Sequence, residues 1–157
     1  MYQRVLLAYD GSREGRTALR EGTLVARRFG AQIFLLCVVA ETPGMWVGEA
    51  AFAGATLRAR DISMELFQSG MERLRELGFE PEGAIVEGEP AYEIGAHARE
   101  FGADLVVVGH RKKSLIERWW SGQTGAYLVD TLQCSLLIAR RLISDEEFEA
   151  ALQAKVP

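Results

Sequence analysis

Residues 106–125 read VVVGHRKKSLIERWWSGQTG. With Leu105 in front, an apolar run ends at Gly109, a basic polar segment follows, and a second glycine stands at Gly122. A β-branched run without polar alternation is the pattern of a strand covered on both faces, as in parallel sheets. In an open parallel sheet, ligands bind in the crevice outside the carboxyl ends of the strands. This junction adds Arg111, Lys112 and Lys113 to its glycines. Together these are the ingredients of an anion site, where backbone N–H groups approach oxygens with a helix amino terminus behind them. The competing reading of the three cations is a solvated loop.

Working outward, four more short aliphatic runs lie at 5–8, 33–39, 84–87 and 136–139. Helical patterns separate them. Over 14–29, Ala18, Gly22, Val25 and Phe29 recur on one face. Over 57–77, Ile62, Leu66, Leu74 and Leu77 are expected to turn inward. A third helix starts at Pro90, a favoured first-turn residue, and buries Ile94, Ala98 and Phe101. A fourth covers about 122–132. The pairs Phe29-Gly30, Leu77-Gly78 and Phe101-Gly102 each read as a helix closed by a left-handed glycine. Strands alternating with helices in this order predict an α/β fold: an open five-stranded parallel sheet with helices on both faces.

Two pieces stand outside the repeating unit. Residues 41–56, with Pro43, Gly44, Gly48 and Gly54, read as a long loop. Its stretch from Met45 to Phe52 is apolar enough for a lid or a surface for a protein partner. Past residue 141, Ser144-Asp145-Glu146-Glu147 forms a capping box, and Phe148, Ala151 and Leu152 make one stripe. This predicts a domain over 1–141 and a short C-terminal helical extension over 142–157, docked on the body or on a second subunit.

Composition narrows the function classes. The 157 residues suit one domain with a proper core, 48% hydrophobic and 25% charged. A net charge of −4 points to neither nucleic acid nor an anionic membrane as partner. No apolar run nears the ~20 residues that span a bilayer, and the amino terminus lacks signal-peptide form. Cys37 and Cys134, the two cysteines, lie in or beside apolar runs and read as small buried hydrophobes of a reducing, cytoplasmic protein. Two histidines and no clustered cysteines leave no metal site with sensible ligand spacing. His97, between Ile94 and Phe101, reads as a core-edge residue.

Two further loops fall on the carboxyl edge. After the first strand come Asp10-Gly11-Ser12. An acidic residue there can hydrogen-bond a ribose or base, or it can cap the next helix. Gly88-Glu89-Pro90 reads foremost as a strand-to-helix turn. A hydrolase triad of Ser12, Asp10 and His110 lacks the strained nucleophile turn such enzymes use, so no catalytic set is assigned.

Taken together, Asp10-Gly11-Ser12, Gly88-x-Pro90-x-x-x-Ile94, the run from Asp104 to Gly109, and the run from Cys134 to Arg140 resemble the universal stress protein family, over nearly the whole chain to about Arg140. The resemblance implies a flavodoxin-like domain, akin to the adenine-nucleotide alpha-hydrolases, that binds ATP or another adenine nucleotide. By that resemblance, Asp10 and Val38 face adenosine, Ala8, Tyr9 and Val108 line the pocket, and Gly109, Gly122, Gln123 and Thr124 face the phosphates. Nucleotide-binding members carry glycine, two residues, glycine, nine residues, glycine, then Ser or Thr. Here Gly109 and Gly122 keep the spacing, while Lys112 replaces the middle glycine and Gln123 the hydroxyl. Lys112 either reaches a phosphate as a point charge or blocks close backbone approach. The resemblance also implies a homodimer through the last strand, from Leu136 to Ala139, and at most slow ATP hydrolysis or autophosphorylation near Ser114, Ser121 and Thr124. The expected role is a nucleotide-binding sensor or regulator of the stress response. The alternative is a nucleotide-free interaction module.

Overall fold

A computed structural model describes residues 1–10, 13–40, 49–109 and 129–154. The elements are β1 (Arg4–Ala8), α1 (Arg13–Phe29), β2 (Gln32–Ala40), α2 (Glu49–Glu76), β3 (Glu82–Gly88), α3 (Pro90–Phe101), β4 (Leu105–Gly109), β5 (Ser135–Ala139) and α4 (Asp145–Gln153). The five strands form one sheet in the order β3-β2-β1-β4-β5, with every neighbouring pair parallel. The predicted open α/β architecture and its short C-terminal helix are what the chain adopts.

Strand alternation divides the core into two clusters. Val5, Leu7, Ile33, Leu35, Leu105 and Val107 face α1 and α2. Leu6, Leu36, Val106 and Val108 face α3, against Ala91, Ile94 and Ala98. Burying each such aliphatic side chain contributes roughly 1.5–3 kcal/mol, so the two sides of β1 and β4 hold the sheet between its helical layers. This explains why the central runs show no polar alternation.

Helix α1 meets the sheet through a narrow stripe of small residues. Gly15, Ala18, Gly22 and Ala26 are buried. A Cβ added at Gly22 would stand 2.2 Å from Leu7 Cδ2 and 3.2 Å from Val107 Cγ2. Glycine there sets how close the helix comes to the sheet. The expected fourth contact, Phe29, is 43% exposed and instead meets Tyr2 edge-on, with centroids 5.4 Å apart.

Helix α2 corrects two expectations. It begins at Glu49, so 49–56 is helix rather than the second half of a loop. The stretch EAAFAGAT carries four alanines, the strongest helix former, which outweigh one glycine. Residues 41–48, with the first half of the Met45–Phe52 partner surface, lie outside the described residues. Ile62 is 57% exposed rather than inward. It precedes buried Leu74 by twelve residues, which at 3.6 per turn rotates it by about a third of a turn. The face in use carries Phe67, Met71 and Leu74.

The amino edge of the sheet is tied by side chains. Asp104, just before β4, accepts the backbone N–H of Gln3 at 2.7 Å and of Arg4 at 3.1 Å. The Arg4 guanidinium donates to the Phe101 carbonyl at 2.5 Å and lies 5.1 Å from that ring's centroid. Of the fourth predicted helix, the described part is 129–132, of which 129–131 is helical and Leu132 is not.

Candidate functional site at the carboxyl edge

The order β3-β2-β1-β4-β5 reverses direction between β1 and β4. From β1 the chain proceeds outward to β2 and β3, then returns through α3 on the other face to β4. The loops leaving β1 and β4 therefore diverge, and a crevice opens at their carboxyl ends. The ladder records where it begins. Pairing of β1 with β4 stops at Leu7 and Val107. Each strand keeps its other neighbour further: Ala8 pairs with Leu36, Tyr9 N–H donates to the Leu36 carbonyl at 2.8 Å, and Gly109 pairs with Ala139. The strands part where the candidate residues start.

Several of those residues are brought together. Ala8, Val38 and Val108 all lie on the α3 side of the sheet. Gly109 is buried at the end of β4, and exposed Asp10 follows β1. The Asp10 charge reaches the neighbouring side chains. Burial pushes the Cys37 thiol up to about 11, and the Asp10 carboxylate adds to that rise. The Tyr9 phenol is also raised, first by burial, opposed by Arg16 and reinforced by Asp10.

Tyr9 is placed differently from its expected companions. Its ring belongs to the opposite cluster, under α1 and α2, and is 7% exposed. Successive strand residues point to opposite faces, so only the Tyr9 backbone stands at the crevice while Ala8 faces it. Lys112, Gly122, Gln123 and Thr124 lie outside the described residues, as do Ser12, His110, Ser114 and Ser121.

The turn after β3 is structural. Glu89 caps α3, its carboxylate accepting the Tyr92 N–H at 2.9 Å, and Pro90 opens the helix. His97 is half-buried on α3, its Nδ1 2.8 Å from the Glu93 carbonyl and its ring against Phe34. Among the described residues, no group of three or more metal-ligating side chains comes together, and no helix is long and apolar enough to cross a membrane.

The sequence profile of the Universal stress protein family matches residues 1–140, nearly nine-tenths of the chain. The chain belongs to the universal stress protein family. Universal stress protein YxiE of Bacillus subtilis is 28% identical over 148 residues, covering 89% of this chain and all of that relative. Among solved structures, a universal stress protein family protein of Arabidopsis thaliana with AMP bound superposes with a TM-score of 0.63, at 20% identity, over 92% of this chain and 94% of its own. A universal stress protein in complex with cAMP superposes with a TM-score of 0.64, at 21% identity, over 87% of this chain and 96% of its own. These two likenesses establish the shared fold. The match of the family profile ends at residue 140, so α4 of this universal stress protein lies beyond it.

Helix α4 is firmly attached. Ser144 and Glu147 form a reciprocal capping box, at 3.1 Å in each direction. Phe148 is buried under the Arg20 guanidinium, which also pairs with Asp145 and donates to the Ile143 carbonyl. The predicted apolar stripe is thus reduced to one anchoring ring. Sequence reading found the capping box but not Arg20, whose partners lie more than 120 positions away.

Proposed function

We propose that this universal stress protein binds an adenine nucleotide in the crevice between the carboxyl ends of β1 and β4, and serves as a nucleotide-responsive regulator in the stress response. The observation that carries the reading is the parting of β1 from β4 beyond Leu7 and Val107. It leaves Ala8, Val38 and Val108 on one side of the sheet, with Asp10 and Gly109 at the opening. The relatives of the same fold that hold AMP and cAMP support an adenine ligand. In this reading Asp10 accepts from ribose hydroxyls, and the segment from Gly109 to Gly122 supplies N–H groups to phosphate. The protein works in the cytoplasm as a homodimer. β5 is an edge strand, and an unpaired edge is a ready template for a second copy.

One sequence feature favours a second reading. Lys112 and Gln123 stand where the nucleotide-binding pattern has glycine and a hydroxyl. A crevice closed to phosphate by Lys112 would leave the chain a nucleotide-free interaction module.

Thermal unfolding in the presence of ATP, ADP, AMP and cAMP separates the two. A nucleotide at a hundred times its dissociation constant stabilises by about 2.7 kcal/mol. A rise in Tm with any of the four, lost in Asp10→Ala, supports the nucleotide reading. An unchanged Tm at millimolar concentrations of all four overturns it. Lys112→Gly then reports the role of the lysine: tighter binding marks it as an obstruction, weaker binding as a phosphate contact.

A further inference from the structure

The sheet has two edges, β5 and β3. β3 runs seven residues, Glu82–Gly88, against five in each of β1, β4 and β5. Its register with β2 is unbroken from Glu82 to Gly88, so no bulge interrupts it, and it holds neither proline nor lysine. Short length, bulges, proline and lysine are the devices that blunt a sheet edge. None of the seven residues is buried, whereas all of β4 is. Among the described residues, no backbone hydrogen bond of 82–88 reaches beyond β2. One row of N–H and C=O groups on β3 therefore faces outward, a template for a further strand.

Charge decides what fits this edge. Side chains alternate across a strand. Ala84 and Val86 belong to the cluster under α3, which places Glu82 on that same face. Glu87 falls on the other face, 3.2 Å from Arg60 of α2, with 46% of its side chain still exposed. Exposed Glu80 precedes the strand. Glu80 and Glu82 enter no ion pair among the described residues. The carboxylates thus stand at the two ends and on the two faces, and leave the hydrogen-bonding edge clear. Between them Ala84, Ile85 and Val86 are half-buried. The other edge has the opposite sign: β5 is followed by exposed Arg140 and Arg141, of which Arg141 pairs with Glu147. A second β3 laid antiparallel would bring Glu82 of one copy to the end that holds Glu87 of the other. That juxtaposition of like charge works against a second copy and favours a basic partner.

We propose that β3 is a docking edge for an extended segment of another protein, apolar at its middle and bearing lysine or arginine at both ends. The segment adds to the sheet as a further strand. Its backbone supplies the ladder, its central side chains pack beside Ala84, Ile85 and Val86, and its cations meet Glu80, Glu82 and Glu87. The surface is separate from the crevice between β1 and β4 and from the β5 edge. It rests neither on nucleotide binding nor on the homodimer.

The test uses the full chain and a fluorescein-labelled peptide, Lys-Arg-Val-Thr-Val-Thr-Val-Arg-Lys, followed by fluorescence anisotropy. Saturable one-to-one binding is expected, with hydrogen exchange showing new protection at 82–88 and none at 135–139. Alternate residues of an added strand turn their N–H groups to opposite sides, so N-methylation of one alternate set should abolish binding and of the other set leave it. Charge attraction alone would not distinguish the two sets. Glu80 and Glu82 are exposed, so the double variant Glu80→Lys, Glu82→Lys keeps the fold and weakens the peptide about 10-fold. The proposal is overturned if the peptide shows no saturable binding, if both methylated peptides bind as the parent does, or if protection falls on 135–139 instead. It is also overturned if the double variant binds as the wild type does, or if that variant changes the oligomeric mass, which would mean that a second copy already occupies β3.

Discussion

The Arg20 guanidinium of α1 lies over the Phe148 ring of α4, 5.7 Å from its centroid. The same guanidinium bonds to Asp145 and to the Ile143 carbonyl, so one side chain fastens both the start of α4 and its buried anchor. Phe148→Ala removes a ring that is 4% exposed and costs about 3 kcal/mol of local docking energy. Hydrogen exchange followed by mass spectrometry is expected to show 145–153 losing protection while β1 and β4 keep theirs. Equal loss in both would mean that α4 is integral to the core.

Gly22→Ala and Gly95→Ala are the same substitution with opposite expected outcomes. Alanine gains about 1 kcal/mol of helix propensity at either site. At Gly22 the new methyl would stand 2.2 Å from Leu7 Cδ2, and overpacking of this kind costs roughly 1–3 kcal/mol. At Gly95 its nearest neighbour among the described residues is Thr131 Oγ1 at 3.6 Å, an ordinary contact. Urea unfolding is expected to place Gly22→Ala below the wild type and Gly95→Ala above it.

Asp104→Ala unties the amino edge. Its carboxylate accepts two backbone N–H groups of the β1 segment, and hydrogen bonds to a charged group each contribute about 1.5–3 kcal/mol. With the site partly open to water, a total loss of about 2 kcal/mol is expected in denaturant unfolding. Asp104→Asn, which keeps one acceptor oxygen, should recover part of it.

Alkali should weaken the fold through Cys37 and Tyr9. Both pKa values are raised in the folded chain, Cys37 from 9.0 to about 11, so the unfolded chain gives up these protons first. Stability from these groups is complete below their unfolded values and falls as pH climbs through the folded ones. The Tm is expected to drop between pH 9 and 11, and less steeply in Cys37→Ala. At pH 8 about one Cys37 in a thousand is thiolate, from a pKa of about 11. Half-buried Cys134 should therefore react first with a thiol reagent.

The sheet was legible because its signals are local. The run from Leu105 to Gly109 admits one reading, and all three predicted closing glycines, Gly30, Gly78 and Gly102, take positive φ at 65°, 85° and 67°. What escaped depends on tertiary placement. Ile62 matches a helical period, yet it sits about a third of a turn from buried Leu74, and its apolar side chain stays 57% exposed. The family resemblance sets Tyr9 beside Ala8 in the pocket lining, and pleating sends the two to opposite faces. The start of α2 was hidden because glycines at 48 and 54 resemble loop punctuation when the alanines between them are discounted.

Ala8 and Tyr9 share a peptide bond, yet one looks into the crevice and the other into a cavity between α1, α2 and α4. The last turn of the pleat in β1 thus serves as a partition wall, one residue thick, between two chambers.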